Sequence, residues 1–191
     1  MKWKIPLYRI FTDKEDEKSI ARVLSRGMDW AIGPEILEFE RKIANYVGIK
    51  YCVTFNSGTS AGHAALLALN INSGEILVPS FTFIATANWP LMVNSKPKFT
   101  DIDEKRFGMD PKSIVKKISK KTKAIIPIHY GGLSCEIKEI KKISSNANIP
   151  LIEDCAEALG TKIDGKSVGV FGKMSIFSFA PNKILTTGEG G

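Results

Sequence analysis

Cysteine and histidine are scarce in this chain, with three of the first and two of the second in 191 residues. Cys52, Cys135 and Cys155 are far apart and odd in number, which argues against a disulfide framework and matches no metal-binding spacing. His63 and His129 cannot complete a zinc site alone. Long apolar runs are missing too, and none approaches the length of a membrane span. The opening MKWKIPLYRIFTDKEDE carries acidic residues where a signal peptide needs its apolar core, so a cytoplasmic location is expected. Neither phosphate-binding fingerprint occurs: GTSAGH lacks the lysine of a Walker loop and the spacing of G-x-G-x-x-G, which counts against a dinucleotide-binding oxidoreductase. The net charge of +7 is concentrated in 112–123 and 138–142, where no aromatic residue occurs. Those stretches read as solvated helix faces, and no nucleic-acid partner is expected without stacking groups. A mild positive field suits a phosphorylated small molecule.

What is there is ordinary globular material, 43% hydrophobic and 25% charged, enough for one sizeable core. The first fifty residues read as helical. Residues 13–24 carry Ile20, Val23 and Leu24 on one side of a charged segment ended by Gly27. Residues 35–46 follow Pro34, repeat apolar positions at Ile36, Phe39, Ile43 and Val47, and stop at Gly48. Beyond residue 50 strands and helices alternate. Strands are expected at 51–55, 75–79, 98–102, 123–129, 151–154 and 174–179. Helices are expected at 59–69, 82–89 (stopped by Pro90), 111–119 and 136–145. Strands separated by crossover helices imply an α/β fold of three layers, a mostly parallel sheet with helices on both faces. All six strands are expected to run parallel.

In such sheets function gathers at the C-terminal strand ends. Asn56-Ser57-Gly58, Ser80, Asp101 with Asp103, His129, Asp154 and Ser178 each follow one of the six strands, which predicts a single crevice. The turn from Asn56 to Ser60 suits either helix capping or phosphate binding by free N–H groups at a helix start. Asp154 closes an apolar strand, where an unpaired carboxylate is costly. It serves either a cap or salt bridge, or a protonated ring nitrogen. Glu153 is expected to face solvent or the partner layer. Phe83 is either a core residue or a ring that lies flat against a cofactor. His129 reads as a hydrogen-bonded structural residue. Lys183 is either a solvated loop lysine or, following an apolar strand and preceding a turn rich in threonine and glycine, a residue placed to form a Schiff base with a carbonyl cofactor, the reading that its neighbours Ser178 and Asn182 and the segment 186–191 favour.

NSGTSAGHAALLAL, VPSFTFIATAN, FTDID, LIEDCAEALG and SFAPNKILTTGEGG, in that order, resemble the DegT/DnrJ/EryC1/StrS family of pyridoxal-phosphate-dependent sugar aminotransferases, with its aspartate-aminotransferase-like fold. IPLYRIF and GPEILEFERKIANYVG fit the N-terminal segment of that family. The resemblance covers essentially the whole chain. It implies that Lys183 is the Schiff-base lysine and that Asp154 pairs with the pyridine nitrogen of pyridoxal 5'-phosphate. It assigns Gly58, Thr59 and Ser178 to the cofactor phosphate, Phe83 to the ring face, and Glu157 to the neighbourhood of the phenolic oxygen. Glutamate at position 157 also occurs in relatives resembling perosamine synthases, which leans toward a nucleotide-linked 4-keto-6-deoxy sugar as acceptor. Relatives with histidine in place of the lysine are dehydratases, so Lys183 argues for amino transfer, with glutamate as the usual donor.

The resemblance also implies a domain plan. Residues 1–50 form a helical N-terminal arm. Residues 51–191 form an incomplete cofactor-binding large domain, ending before the last antiparallel strand. The small C-terminal domain is absent, and a homodimer interface would complete the site. A non-catalytic remnant that keeps the fold is the alternative expectation. One segment departs from the family pattern: Tyr130-Gly131-Gly132-Leu133-Ser134 lacks the usual His–Leu–Tyr–Gly order.

Overall fold

The computed structural model describes residues 4–191, which divide into two compact units between Thr54 and Phe55. In the first unit, α1 (Lys14–Ser25) starts on Asp13. The Asp13 carboxylate accepts the Glu15 and Asp16 N–H groups, and the Asp16 side chain accepts the Asp13 N–H in return. α2 (Pro34–Val47) opens with Pro34, whose missing N–H is harmless in a first turn. It stops at Gly48, which takes the left-handed conformation that a side chain would resist. Both helices fall within two residues of their expected spans.

The second unit carries α3 (Gly58–Ala68), β1 (Glu75–Pro79), α4 (Ile84–Met92), β2 (Lys96–Thr100), α5 (Pro111–Lys117) and β3 (Thr122–Ile125). It continues with α6 (Ile137–Asn146), β4 (Ile152–Asp154), β5 (Lys162–Ile163), β6 (Lys166–Ser167) and β7 (Met174–Ile176). β1 pairs with β2 and β3, and β4 pairs with β7, all in parallel. Parallel bridges from Ile125 to Leu151 and from Ile128 to Asp154 join the two ladders. The resulting strand order is β2-β1-β3-β4-β7.

Period-two alternation sorts the strand residues between two cores. Ile76, Val78, Ala124, Ile126, Ile152 and Ile176 pack with Leu66 of α3 and with Ala85, Ala87 and Trp89 of α4 on one face. Leu77, Ile125 and Leu151 pack with Ile114 of α5 and with Ile137 and Ile140 of α6 on the other. The fully buried Ile76, Leu77 and Val78 in β1 each contribute about 1.5–3 kcal/mol from removal of apolar surface. Trp89 reaches across to α3, where its indole N–H donates to the Thr59 carbonyl and its ring lies over Gly62. This is the expected three-layer α/β arrangement.

The structure corrects four expectations of detail. Residues 51–55 are not a strand. The Thr54 N–H and hydroxyl both go to Glu40 Oε1, at 2.8 and 3.0 Å. Phe55 makes one reciprocal backbone pair with Gly191, at 2.8 and 3.0 Å, and one pair does not make a ladder. Five parallel strands are therefore seen among the described residues where six were expected. The strand expected over 123–129 ends at Ile125 because Pro127 has no N–H to give. The helix expected over 82–89 begins at Ile84 and runs through Pro90 to Met92. Pro90 withholds only the N–H that the Thr86 carbonyl would have accepted in the last turn. Finally, β5 and β6 form an antiparallel hairpin that the strand–helix alternation hid. Its turn is Asp164-Gly165, both at positive φ (48° and 77°), a pairing that favours two-residue hairpins.

Candidate active site

The C-terminal ends of β4 and β7 and the N-terminus of α3 surround a cavity of about 320 Å³. Ser57, Gly58 and Thr59 line it from the start of α3, and Phe83, Thr86 and Trp89 from α4 and its cap. Asp154 and Glu157 enter from the end of β4, and Ser178, Asn182 and Lys183 from the segment after β7. All seven residues singled out by the resemblance line this one cavity.

The turn at the start of α3 is built for close approach. The Ser57 hydroxyl accepts the Ser60 N–H, while helix geometry leaves the N–H groups of Gly58 and Thr59 without intrahelical acceptors. A side chain at position 58 would bring its Cβ within 3.2 Å of Ser178 Cβ and 3.3 Å of the Phe177 carbonyl oxygen. Glycine here keeps the space between α3 and Ser178 open. The Ser60 hydroxyl is turned away to Asn56 Oδ1 at 2.6 Å, so it does not join Thr59 at the cavity.

Asp154 is buried, 3% exposed. Its Oδ2 accepts from the Thr86 hydroxyl at 2.7 Å, and its Oδ1 from the Ala156 N–H at 3.1 Å. Burial pushes its carboxyl above the usual aspartate value, while Thr86, the Ala156 N–H, His129 and Lys183 pull it back. Lys183 Nζ stands 3.4 Å from Glu157 Oε1, and its side chain is only 14% exposed. Glu157 Oε2 accepts the Gly131 N–H at 2.8 Å. That contact explains the unusual Tyr130–Gly132 segment, a 3-10 turn in which Gly131 and Gly132 sit at φ 59° and 81°. The glycine pair lets the backbone fold back far enough to present an N–H to Glu157.

Not every polar strand end reaches the cavity. Ser80 is exposed and its N–H bonds the Thr100 carbonyl. Asp103 caps a local turn by accepting the Lys105 and Arg106 N–H groups, and Asp101 exchanges bonds with Ser113. His129 is fully buried between Glu153 and Ser134, at 3.1 and 3.2 Å. The six-fold crevice expected from the sequence is thus a three-fold one, formed at the Asn56–Ser60 turn, Asp154 and Ser178. Thr86 was missed by sequence reading, because a threonine inside IATAN carries no signal of its own.

Glu153 also departs from expectation. It faces neither solvent nor helix but is fully buried against the loop before β7. Its oxygens accept the N–H groups of Gly169, Phe171 and Gly172 at 2.8, 2.7 and 2.6 Å. His129, Glu153 and Cys155 place one nitrogen, one oxygen and one sulfur within 4.8 Å of each other. The donors already crowding both Glu153 oxygens leave no lone pair directed at a metal. Burial, then the neighbouring Glu153 carboxylate, pushes the thiols of Cys135 and Cys155 up, so both behave as inert core groups.

The sequence pattern of the DegT/DnrJ/EryC1/StrS aminotransferase family matches residues 11–191. This chain belongs to that family. GDP-perosamine synthase of Vibrio cholerae is 37% identical over 98% of this chain and 51% of its own length. GDP-perosamine synthase of Escherichia coli O157:H7 is 40% identical over 98% of this chain and 52% of its own length. Among solved structures, an aminotransferase from Psychrobacter cryohalolentis superposes with a TM-score of 0.91 at 34% identity, over 94% of this chain and 46% of that one. 3-Amino-5-hydroxybenzoic acid synthase superposes with a TM-score of 0.90 at 30% identity, over 98% of this chain and 49% of that one. The chain spans about half the length of the curated relatives it matches. The cavity gathers a half-buried lysine and a buried aspartate at the strand ends.

Proposed function

We propose that this cavity binds pyridoxal 5'-phosphate and that the protein transfers an amino group from glutamate to a nucleotide-linked keto sugar, a 4-keto-6-deoxy sugar in particular. The observation that carries the reading is the convergence of Lys183, Asp154 and the open turn at Gly58 on one cavity of about 320 Å³. The residues fit the cofactor. The space a Cβ at position 58 would fill, bounded by Ser178 and the first turn of α3, suits a phosphate held by N–H and hydroxyl groups. Asp154, still carrying a free lone pair on each oxygen, suits a protonated ring nitrogen. Phe83 is 68% exposed at the cap of α4 and offers an uncovered ring to the cavity.

The cofactor supplies an electron sink for the carbon that loses a proton. The protein supplies position and charge. Gly58, Thr59 and Ser178 would hold the phosphate end. Lys183 would anchor the cofactor covalently, and its amine would serve as the base that moves a proton on and off the reacting carbon. Glu157 stands beside Lys183 and ties its place to the Gly131 backbone. In this reading residues 1–50 are an arm, 51–191 belong to the large domain, and a second copy completes the site. GDP-perosamine synthases among the similar proteins support a nucleotide-sugar acceptor.

The test is amination of nucleotide-linked 4-keto-6-deoxy sugars with glutamate as donor. Residues 1–191 should be compared with the chain extended by any sequence continuing beyond Gly191. The reading expects 2-oxoglutarate and amino sugar in equal amounts, with Lys183→Ala inactive. Product formation undiminished in Lys183→Ala would overturn it.

A further inference from the structure

Thr86 and Thr82 lie one turn apart at the start of α4, and neither figures among the residues singled out from sequence. Thr86 is 1% exposed, and its hydroxyl lies 2.7 Å from Asp154 Oδ2 and 2.8 Å from the Thr82 hydroxyl. A threonine hydroxyl has one hydrogen to give and two lone pairs. While Asp154 is ionised it can only accept, so the Thr86 hydrogen goes to Asp154. Thr86 then has nothing left to offer Thr82, and Thr82 must donate to Thr86. The chain of hydroxyls therefore has a direction, Thr82 to Thr86 to Asp154, for as long as the carboxylate is charged.

We propose that Thr82 and Thr86 form a hydroxyl relay that keeps Asp154 ionised and oriented toward the cavity, making Thr86 a positioning residue for the group that pairs with the cofactor ring. The functional half of this inference rests on the reading of the cavity given above. Three observations support it. Asp154 is withdrawn from water, so its charge depends on donors in the protein. Its two oxygens have one protein donor each, Thr86 and the Ala156 N–H, and loss of either leaves half the carboxylate bare. The other titratable groups around it are Lys183 from the segment after β7, His129 from the end of the β3 segment, and Glu153 and Cys155 on either side in the chain, with Glu157 and Glu189 on the same cavity wall. Lys183 would no longer be a free ammonium once committed to the cofactor, whereas the relay hydroxyls play no part in holding the cofactor and would remain as support for the Asp154 charge.

The experiment follows the Asp154 side-chain carbon by 13C NMR across pH in the protein without added cofactor. Thr86→Val keeps the shape and removes the donor. It should raise the proton affinity of Asp154 by about tenfold, the scale of one hydrogen bond to a charged group. Thr86→Ser should restore the wild-type midpoint. Thr82→Val should give a smaller rise, because Thr86 still donates but is no longer polarised by a donor of its own. An unmoved midpoint in Thr86→Val, or a Ser variant behaving like Val, overturns the proposal. If Thr86→Val does not fold, Thr82→Val decides alone, and no rise in it overturns the relay. With pyridoxal phosphate added, the pH profile of the visible absorbance should shift in the same order across the variants. Failure of every variant and of the wild type to take up the cofactor would defeat the proposed function and leave the carboxylate titration standing as its own test.

Discussion

Removing the Glu153 carboxylate should unlatch the loop before β7. Glu153→Ala leaves the N–H groups of Gly169, Phe171 and Gly172 without an acceptor and strips His129 Nε2 of its partner. Each orphaned buried donor costs about 1–3 kcal/mol. The bonds to Phe171 and Gly172 are only partly buried, so water recovers some of that cost. A net loss of about 3–5 kcal/mol is expected, the scale of breaking one side of a buried charged network. Glu153→Gln keeps one acceptor oxygen but turns an NH2 group toward backbone donors, and should lose about 1–3 kcal/mol. Urea denaturation followed by circular dichroism gives both values. Hydrogen exchange provides the local reading, since amides 169, 171 and 172 should lose protection well before the amides of β1. A loss within about 0.5 kcal/mol of zero for Glu153→Ala, with exchange at these amides unchanged, would refute the reasoning.

Asp154→Asn should change how the cofactor-free protein responds to pH. Burial raises the Asp154 pKa above 3.8, so its contribution to stability is complete below that value and is lost as pH rises through the folded-state pKa. The Asn variant should therefore be the more stable protein at pH 7 and lose that advantage at pH 3.5 to 4, as measured by urea midpoints. Gly62→Ala drives a methyl group into the Trp89 ring and should cost about 1–3 kcal/mol by the same denaturation assay. Gly58→Ala puts a methyl group slightly inside ordinary contact distance of Ser178 and the Phe177 carbonyl, and should weaken pyridoxal phosphate binding by about tenfold, or 1.4 kcal/mol, in an absorbance titration.

Much of the fold was legible because local signals and tertiary packing agree. Asp13 and Gly48 mark helix ends that the structure keeps, and Glu75–Pro79 is a strand at the predicted positions because its apolar run is buried on both faces. Residues 51–55 misled because an apolar run reports burial or strand propensity but not the presence of a partner, and Glu40 takes the Thr54 N–H instead. Asp164-Gly165 is a turn signal in the sequence, but strands of two residues are too short to show a period-two pattern, so the hairpin has no strand signature beside its turn. At the site, Lys183, Asp154 and Gly58 stood out by residue type at strand and helix ends. Thr86 and Glu153 did not, since their importance comes from what lies opposite them across 68 residues in one case and 16 to 19 in the other.

The central claim is that Lys183 is the residue that takes the cofactor aldehyde. Incubation of the protein with pyridoxal 5'-phosphate, reduction with borohydride and peptide mapping by mass spectrometry tests it directly. The account predicts the phosphopyridoxyl group on the peptide containing Lys183, stoichiometric at low cofactor excess and absent from Lys183→Ala. Labelling scattered over surface lysines with Lys183 unmodified would contradict it.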